Sequence, residues 1–161
     1  MFERFTKAAR QTVRNAVAIA SERGDARVGT EHLLAGVAGT ASAAAELLDR
    51  MGGGSDRIRN AINDLEMSAL AAVGIDGDAI RFGPAGSEWL RRKRHIPLNR
   101  AAKRVLEDSL REALTRKHRH IGSEHILAAL TSTGSGDPAR RILTGLGIDV
   151  SDLRRGLGAD T

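Results

Sequence analysis

A duplication constrains this chain more than any other feature. Gly29-Thr30-Glu31-His32-Leu33-Leu34 returns 93 positions later as Gly122-Ser123-Glu124-His125-Ile126-Leu127. Each copy follows a long helical pattern and opens a shorter one, so one supersecondary unit has to be accommodated twice. In the first copy Ala9, Val13, Ala16, Val17 and Ala20 form an apolar stripe behind Thr6, a good N-cap, and Gly24 supplies the stop. In the second, Asn99 takes the cap and Ala102, Val105, Leu106, Leu110, Ala113 and Leu114 the stripe. Lys117 and His118 lie near its end, where positive charge suits the helix dipole. Thr30 and Ser123 are predicted as N-caps of the shorter helices, which places Glu31 and Glu124 in their first turns.

A third helix repeats as well. Ala44, Leu47, Leu48 and Met51 are answered by Ala139, Ile142, Leu143 and Leu146, with Gly52 and Gly147 as the stops. The offset has grown to 95, so the second copy holds two extra residues, placed within 132–136. Ile58, Ala61, Ile62 and Leu65 predict a fourth helix, with Leu153 and Leu157 as a shorter answer. The expected fold class is therefore all-α, two pseudo-symmetric four-helix repeats. Repeat one covers 1–65, a linker 66–95 and repeat two 96–161. Within the linker a short helix is expected over 79–82, a loop over 83–87 and a basic block over 91–95.

Composition narrows the functional classes. Aromatics are 2% of the chain, so Ala, Leu, Ile and Val carry the core, a composition that favours closely packed helices. The absence of cysteine excludes disulfides, thiolate nucleophiles and cysteine-held metals. The first residues lack the apolar core of a signal peptide, and no run of about 18 apolar residues exists to span a membrane. A cytoplasmic protein without a membrane partner is expected. The net charge of +5 and pI near 10.6 raise nucleic acid as the alternative partner. That reading would rest on Arg91-Arg92-Lys93-Arg94-His95, which has only Trp89 nearby for base stacking and no helix-turn-helix beside it. A solvated linker is the favoured reading of the block.

The motifs of catalysis are missing. No Gly-Lys pair occurs, hence no Walker A loop, and no Gly-x-Ser-x-Gly elbow is present. The chain is read as a non-enzyme with no cofactor. The two Glu-His dipeptides make poor chelates, because adjacent helical residues point about 100° apart; no metal is expected, and the histidines are assigned to packing or bonding at the helix start. Glu31 and Glu124 are different. Free amides and a hydroxyl at a helix N-terminus suit phosphate, while a carboxylate there suits a guanidinium. Thr30, Glu31, Ser123 and Glu124 are thus the candidate binding residues, for a group bearing both charges.

Several segments together carry a family resemblance. They are Met1-Phe2-Glu3-Arg4-Phe5-Thr6, both hexapeptides, His95-Ile96-Pro97-Leu98, Ala101-Ala102-Lys103-Arg104-Val105-Leu106-Glu107 and Ser109-Leu110-Arg111-Glu112-Ala113. On these the chain resembles the Clp N-terminal repeat domain found at the front of ClpC-type AAA+ unfoldases. The likeness covers nearly everything outside about 66–94. It implies two four-helix repeats and a non-catalytic docking platform for protein substrates or adaptors of the unfoldase. It also implies recognition of arginine-phosphorylated proteins, with the guanidinium on the glutamates that match Glu31 and Glu124. A face for cyclic peptides is implied at Phe2, Arg10, Leu98, Lys103 and Glu107. The sequence departs from the family where Leu98 replaces an aromatic residue, Asn99 a Thr, and Arg100 a common Pro. No ATPase module follows within the 161 residues, so a stand-alone accessory factor or decoy of the unfoldase is expected.

Overall fold

The two halves are held together by a reciprocal exchange of backbone hydrogen bonds. A computed structural model describes residues 2–77 and 95–159 of the protein. The segment before the first long helix lies along the second repeat, where the Thr6 amide donates to the Ile121 carbonyl and the Ile121 amide to Arg4, at 2.9 and 2.8 Å. The matching segment of repeat two lies along repeat one. There the Val28 amide donates to Pro97 and the Asn99 amide to Val28, both at 2.9 Å. Phe5 thereby pairs with Ile121 and Val28 with Leu98. Each pairing ends one residue before a repeated glycine, so the exchange itself sets where the hexapeptides begin.

Among the described residues there are eight α-helices. In repeat one they are α1 (Lys7–Arg23), α2 (Thr30–Ala38), α3 (Ala43–Arg50) and α4 (Ser55–Ala72). In repeat two they are α5 (Arg100–Thr115), α6 (Ser123–Thr131), α7 (Pro138–Gly145) and α8 (Val150–Ala159). A short 3₁₀ turn at Phe2–Arg4 precedes them. The expected caps form: Thr6 Oγ1 accepts from the Ala9 amide at 3.1 Å, and Asn99 Oδ1 from Ala102 at 2.8 Å. At the other end of α1, Gly24 turns the chain left-handed at φ 76°. The matched position after α5 is Lys117, at φ 58°, a conformation that an L side chain adopts at a cost.

The offsets hold in three dimensions. The α2–α3 connection is 39–42 and the α6–α7 connection 132–137, two residues longer. One boundary differs from expectation: α4 continues to Ala72, past the expected end at 65. Glu66, Met67, Ala69, Leu70, Ala71 and Ala72 are all strong helix formers. Intrinsic preference carries the extension, because much of this final stretch is exposed. The short helix and loop expected over 79–87, and Arg91, Arg92, Lys93 and Arg94 of the basic block, lie outside the described residues; His95 is exposed.

At the centre are α2 and α6, short helices that carry no charged side chain beyond the first turn and so can be buried on nearly every side. Leu33, Leu34 and Val37 of one and Ile126, Leu127 and Leu130 of the other belong to a single core. α1 packs along α2, α5 along α6, and α2 also meets α6 and α7 across the repeat boundary. The α1–α2 crossing is close enough that a Cβ on Gly36 would stand 2.4 Å from the Thr12 carbonyl oxygen. Buried hydroxyls fix the boundary further: Thr12 Oγ1 meets Ser123 Oγ at 3.0 Å and donates to Thr40 at 3.2 Å. No helix among the described residues is long and apolar enough to cross a membrane.

Candidate functional site

The repeated hexapeptide starts one residue earlier than its chemistry suggested. Gly29 and Gly122 are the N-caps of α2 and α6, with extended backbones at φ −101° and −97°. Thr30 and Ser123, expected in that role, are already the first helical residues. The reason is tertiary. Their hydroxyls turn inward across the repeat boundary, Thr30 donating to Asp137 Oδ1 at 2.7 Å and Ser123 meeting Thr12. Both residues are buried, at 1% and 0% exposure, so they position the helix start and offer no hydroxyl to a ligand.

Capping falls instead to the histidines. The Gly29 amide donates to His32 Nδ1 at 2.9 Å and the Gly122 amide to His125 Nδ1 at 2.8 Å. This is a capping box closed by His at the third helical position, where Glu or Gln is usual. The ring proton then sits on Nε2 in each copy. From there His32 donates to Asp25 Oδ2, and His125 to His118 Nδ1, both at 2.8 Å. Asp25 and His118 are themselves related by the offset of 93, as are Arg23 and Arg116. Both partners lie seven residues before the histidine they bond, a spacing the sequence carries but hides, because Asp and His do not look alike.

Each relay has its own electrostatics. At Asp25, burial opposes ionisation, but the hydrogen bond from His32 and the guanidinium of Arg23 outweigh it and hold the carboxyl below its usual range. At His125, burial pushes the imidazole below its usual value; Glu124 and Glu112 pull it up, and His118 and Arg116 push it further down. His118, Glu124 and His125 bring three potential ligand atoms within 4.8 Å of one another. The hydrogen bonds argue against a metal there. The one lone pair of neutral His125 is already taken by the Gly122 amide, which leaves a proton, not a ligand, on Nε2.

The glutamates remain as the candidate binding residues. With no Cβ on the preceding N-cap, each carboxylate folds back over the glycine: a Cβ on Gly29 would lie 2.3 Å from Glu31 Oε2, and one on Gly122 2.2 Å from Glu124 Oε1. Glu31 Oε1 is 3.4 Å from His32 Nδ1. That contact is no ion pair, since Nδ1 is the acceptor of the Gly29 amide. Glu31 Oε2 is shut off from solvent without any hydrogen-bond donor. Leaving such an atom unpaired costs about 1–3 kcal/mol.

Around Glu31 is a cavity of about 290 Å³, lined by Arg23, Asp25 and Glu66, by Pro138 and Arg141 of the second repeat, and by the apolar Ile62, Leu65 and Ala69. Arg23 braces the wall, bonding Asp25 at 3.0 Å, Glu66 at 2.6 Å and Asn63. The extended α4 provides four of these residues, Ile62, Leu65, Glu66 and Ala69. In repeat two Arg116, the counterpart of Arg23, bonds the Leu157 carbonyl of α8 at 2.7 Å. Glu124 is the more open of the two glutamates, 38% exposed against 21% for Glu31. The sites are related by the repeat but are not equivalent.

Of the residues expected on a peptide face, Leu98, Lys103 and Glu107 do line one groove, of about 490 Å³. Arg10 is exposed on α1 and is not among the residues lining that groove. The Phe2 side chain lies outside the described residues.

Comparison with known proteins places this geometry. The family model of the Clp repeat (R) N-terminal domain matches residues 4–96 and again 97–161. The chain is similar to the chloroplastic ATP-dependent Clp protease ATP-binding subunit ClpA homolog of Brassica napus. It is 36% identical to that protein over 155 residues, which are 96% of this chain and 15% of the relative. Chloroplastic chaperone protein ClpC2 of Arabidopsis thaliana is 37% identical over 155 residues, 96% of this chain and 14% of its own. The chain thus spans about 15% of the length of the curated relatives it matches. In fold it is similar to the crystal structure of the N-terminal domain of the Arabidopsis thaliana chaperone ClpD. The TM-score is 0.70 at 24% identity, covering 99% of both chains.

Proposed function

The chain belongs to the Clp repeat (R) N-terminal domain family, and on that footing we propose that it is a non-catalytic module that binds protein substrates or adaptors of a ClpC-type unfoldase in the cytoplasm. The marked ligand is a phosphorylated arginine side chain. What carries the reading is Glu31 Oε2, buried and without a donor beside a cavity lined by both carboxylates and guanidiniums. A guanidinium entering the cavity meets the exposed part of the Glu31 carboxylate, and a turn of that carboxylate away from Gly29 gives Oε2 its missing donor and makes the pairing bidentate. Arg141, exposed at the rim, suits the phosphate. Glu124 is the counterpart in repeat two, with a more open approach. The groove of Leu98, Lys103 and Glu107 offers a second face for peptides, cyclic ones included. As an accessory factor the module presents captured proteins to the unfoldase; as a decoy it competes with the unfoldase's own N-terminal domain.

The test is retention of an arginine-phosphorylated protein on the immobilised chain, beside the same protein after dephosphorylation. Only the phosphorylated form is expected to stay, and Glu31→Ala with Glu124→Ala is expected to release it while helix content by circular dichroism is unchanged. Equal retention of both forms, or retention by the double variant, would overturn the proposal.

A further inference from the structure

A second cavity adjoins the one at Glu31, between α4 and α7. It holds about 260 Å³ and shares Leu65 and Arg141 with the first. The two use neighbouring stripes of α4. Ile62, Leu65, Glu66 and Ala69 line the Glu31 cavity, while Ala61, Asp64, Leu65 and Ser68 line its neighbour, each set at i, i+3, i+4 and i+7. From the second repeat the first cavity takes Pro138 and Arg141, and the second takes Arg141, Ile142, Gly145 and Leu146. The cavities are therefore displaced along α7 by about one turn, roughly 5.4 Å. The buried and half-buried residues of the second cavity, Ala61, Leu65, Ile142 and Leu146, are all apolar, and its polar residues are exposed.

The related crossing, of α3 with α8, is tighter. By the offset of 95, Leu47 matches Ile142 and Gly156 matches Ala61. A Cβ on Gly156 would stand 3.0 Å from Leu47 Cδ1 and Cδ2, so the leucine occupies that space. A Cβ on Gly145 would meet nothing within 4 Å.

We propose that the cavity between α4 and α7 is a specificity subsite of the Glu31 site, holding an apolar side chain of leucine size two positions from the phosphorylated arginine. The inference rests on the reading of Glu31 as a phosphoarginine site, and adds which neighbouring residues that site selects. In an extended segment, side chains two positions apart leave on the same side, roughly 6.6–6.8 Å apart. That spacing suits the one-turn displacement of the cavities. Arg141 sets the register, because it lines both cavities and a phosphate held there brings the ligand to their junction. The Glu124 site has the tight crossing of α3 and α8 as its counterpart, so it is indifferent to the same neighbours.

The test is calorimetry with pentapeptides that carry phosphoarginine at the centre, glycine on either side of it, and leucine, glycine or lysine at both ends. On Glu124→Ala, which leaves the Glu31 site alone, the leucine peptide is expected to bind about tenfold more tightly than the glycine peptide, as burying much of a leucine side chain implies. Adding Gly145→Leu, which places a side chain in the subsite, is expected to bring the leucine peptide down to the glycine peptide. Gly145→Ala is expected to show a smaller loss in the same direction. Free phosphoarginine, measured on each variant, is expected to bind unchanged and reports that the fold is intact. On Glu31→Ala, which leaves the Glu124 site, the leucine and glycine peptides are expected to bind alike. Equal affinity of the two peptides on Glu124→Ala while free phosphoarginine binds would overturn the subsite and leave the Glu31 reading standing. A preference that persists in Gly145→Leu would also overturn it, as would a lysine peptide that binds more tightly than the leucine one, which would assign the cavity to Asp64. No binding of free phosphoarginine would overturn the Glu31 reading and the subsite with it.

Discussion

At the scale of single residues, the repeated Gly-Thr/Ser-Glu-His sequence divides its labour in a way that side-chain chemistry alone does not announce. A hydroxyl residue next to a helix start is the ordinary N-cap, yet here both hydroxyls are spent between the repeats and glycine takes the cap. Glycine serves because the glutamate carboxylate occupies the space that a Cβ would fill. The histidines close the cap only while neutral on Nδ1, which makes the second copy sensitive to acid. His125 is held below its usual value, chiefly by burial, against the pull of Glu124 and Glu112 and with the push of His118 and Arg116. Between the folded value and the ordinary value near 6.5, the unfolded chain therefore binds more protons than the folded one. Stability is full above that window and falls as the pH drops through it. Urea midpoints are expected to decrease from about pH 7.5 to about pH 5.5, and to decrease less in His125→Gln, which keeps an acceptor for the Gly122 amide without a titrating group. An identical decrease in the variant would contradict this assignment.

At the scale of elements, the helices follow from periodicity and the exceptions follow from packing. The stripes of α1, α3, α5 and α7 were legible because each buries one face at helical spacing, α2 and α6 because their opening hexapeptide repeats, and the two-residue insertion from the change of offset alone. The end of α4 was not, because the repeat pattern stops near Leu65 and the remaining turns are held by preference rather than burial. Its length matters for the site, since Leu65, Glu66 and Ala69 line the cavity at Glu31. Nor could periodicity reveal Gly36. Position 129, its partner by offset, is Ala, but in repeat one the crossing of α1 and α2 leaves 2.4 Å between a new Cβ and the Thr12 carbonyl. Gly36→Ala is expected to destabilise the protein by about 1–3 kcal/mol through overpacking, read as a lowered denaturation midpoint with unchanged slope. A neutral or stabilised variant would show that the two helices separate more easily than the contact implies.

At the scale of the whole molecule, duplication supplies two related sites and the backbone exchange keeps them in one body. Phe5 with Ile121 and Leu98 with Val28 place each repeated glycine at the end of a segment borrowed from the other half. The positions of Glu31 and Glu124 are therefore properties of the assembled pair of repeats. The sequence alone pointed to both glutamates. It could not show that the later turns of α4 line the cavity at Glu31, or that Glu124 is the more exposed of the two, since both depend on which helix covers which turn. The central claim is that Glu31 and Glu124 each bind a guanidinium-bearing phosphate, with Glu31 the stronger. Isothermal titration calorimetry with free phosphoarginine tests it most directly, on the unmodified chain and on Glu31→Ala, Glu124→Ala and the double variant. Two sites are expected in the unmodified chain. Each single substitution is expected to remove one, at a cost of about 1.5–3 kcal/mol for the lost charged hydrogen bonds, with the tighter site disappearing in Glu31→Ala. Unchanged heats and affinity in the double variant would contradict the claim.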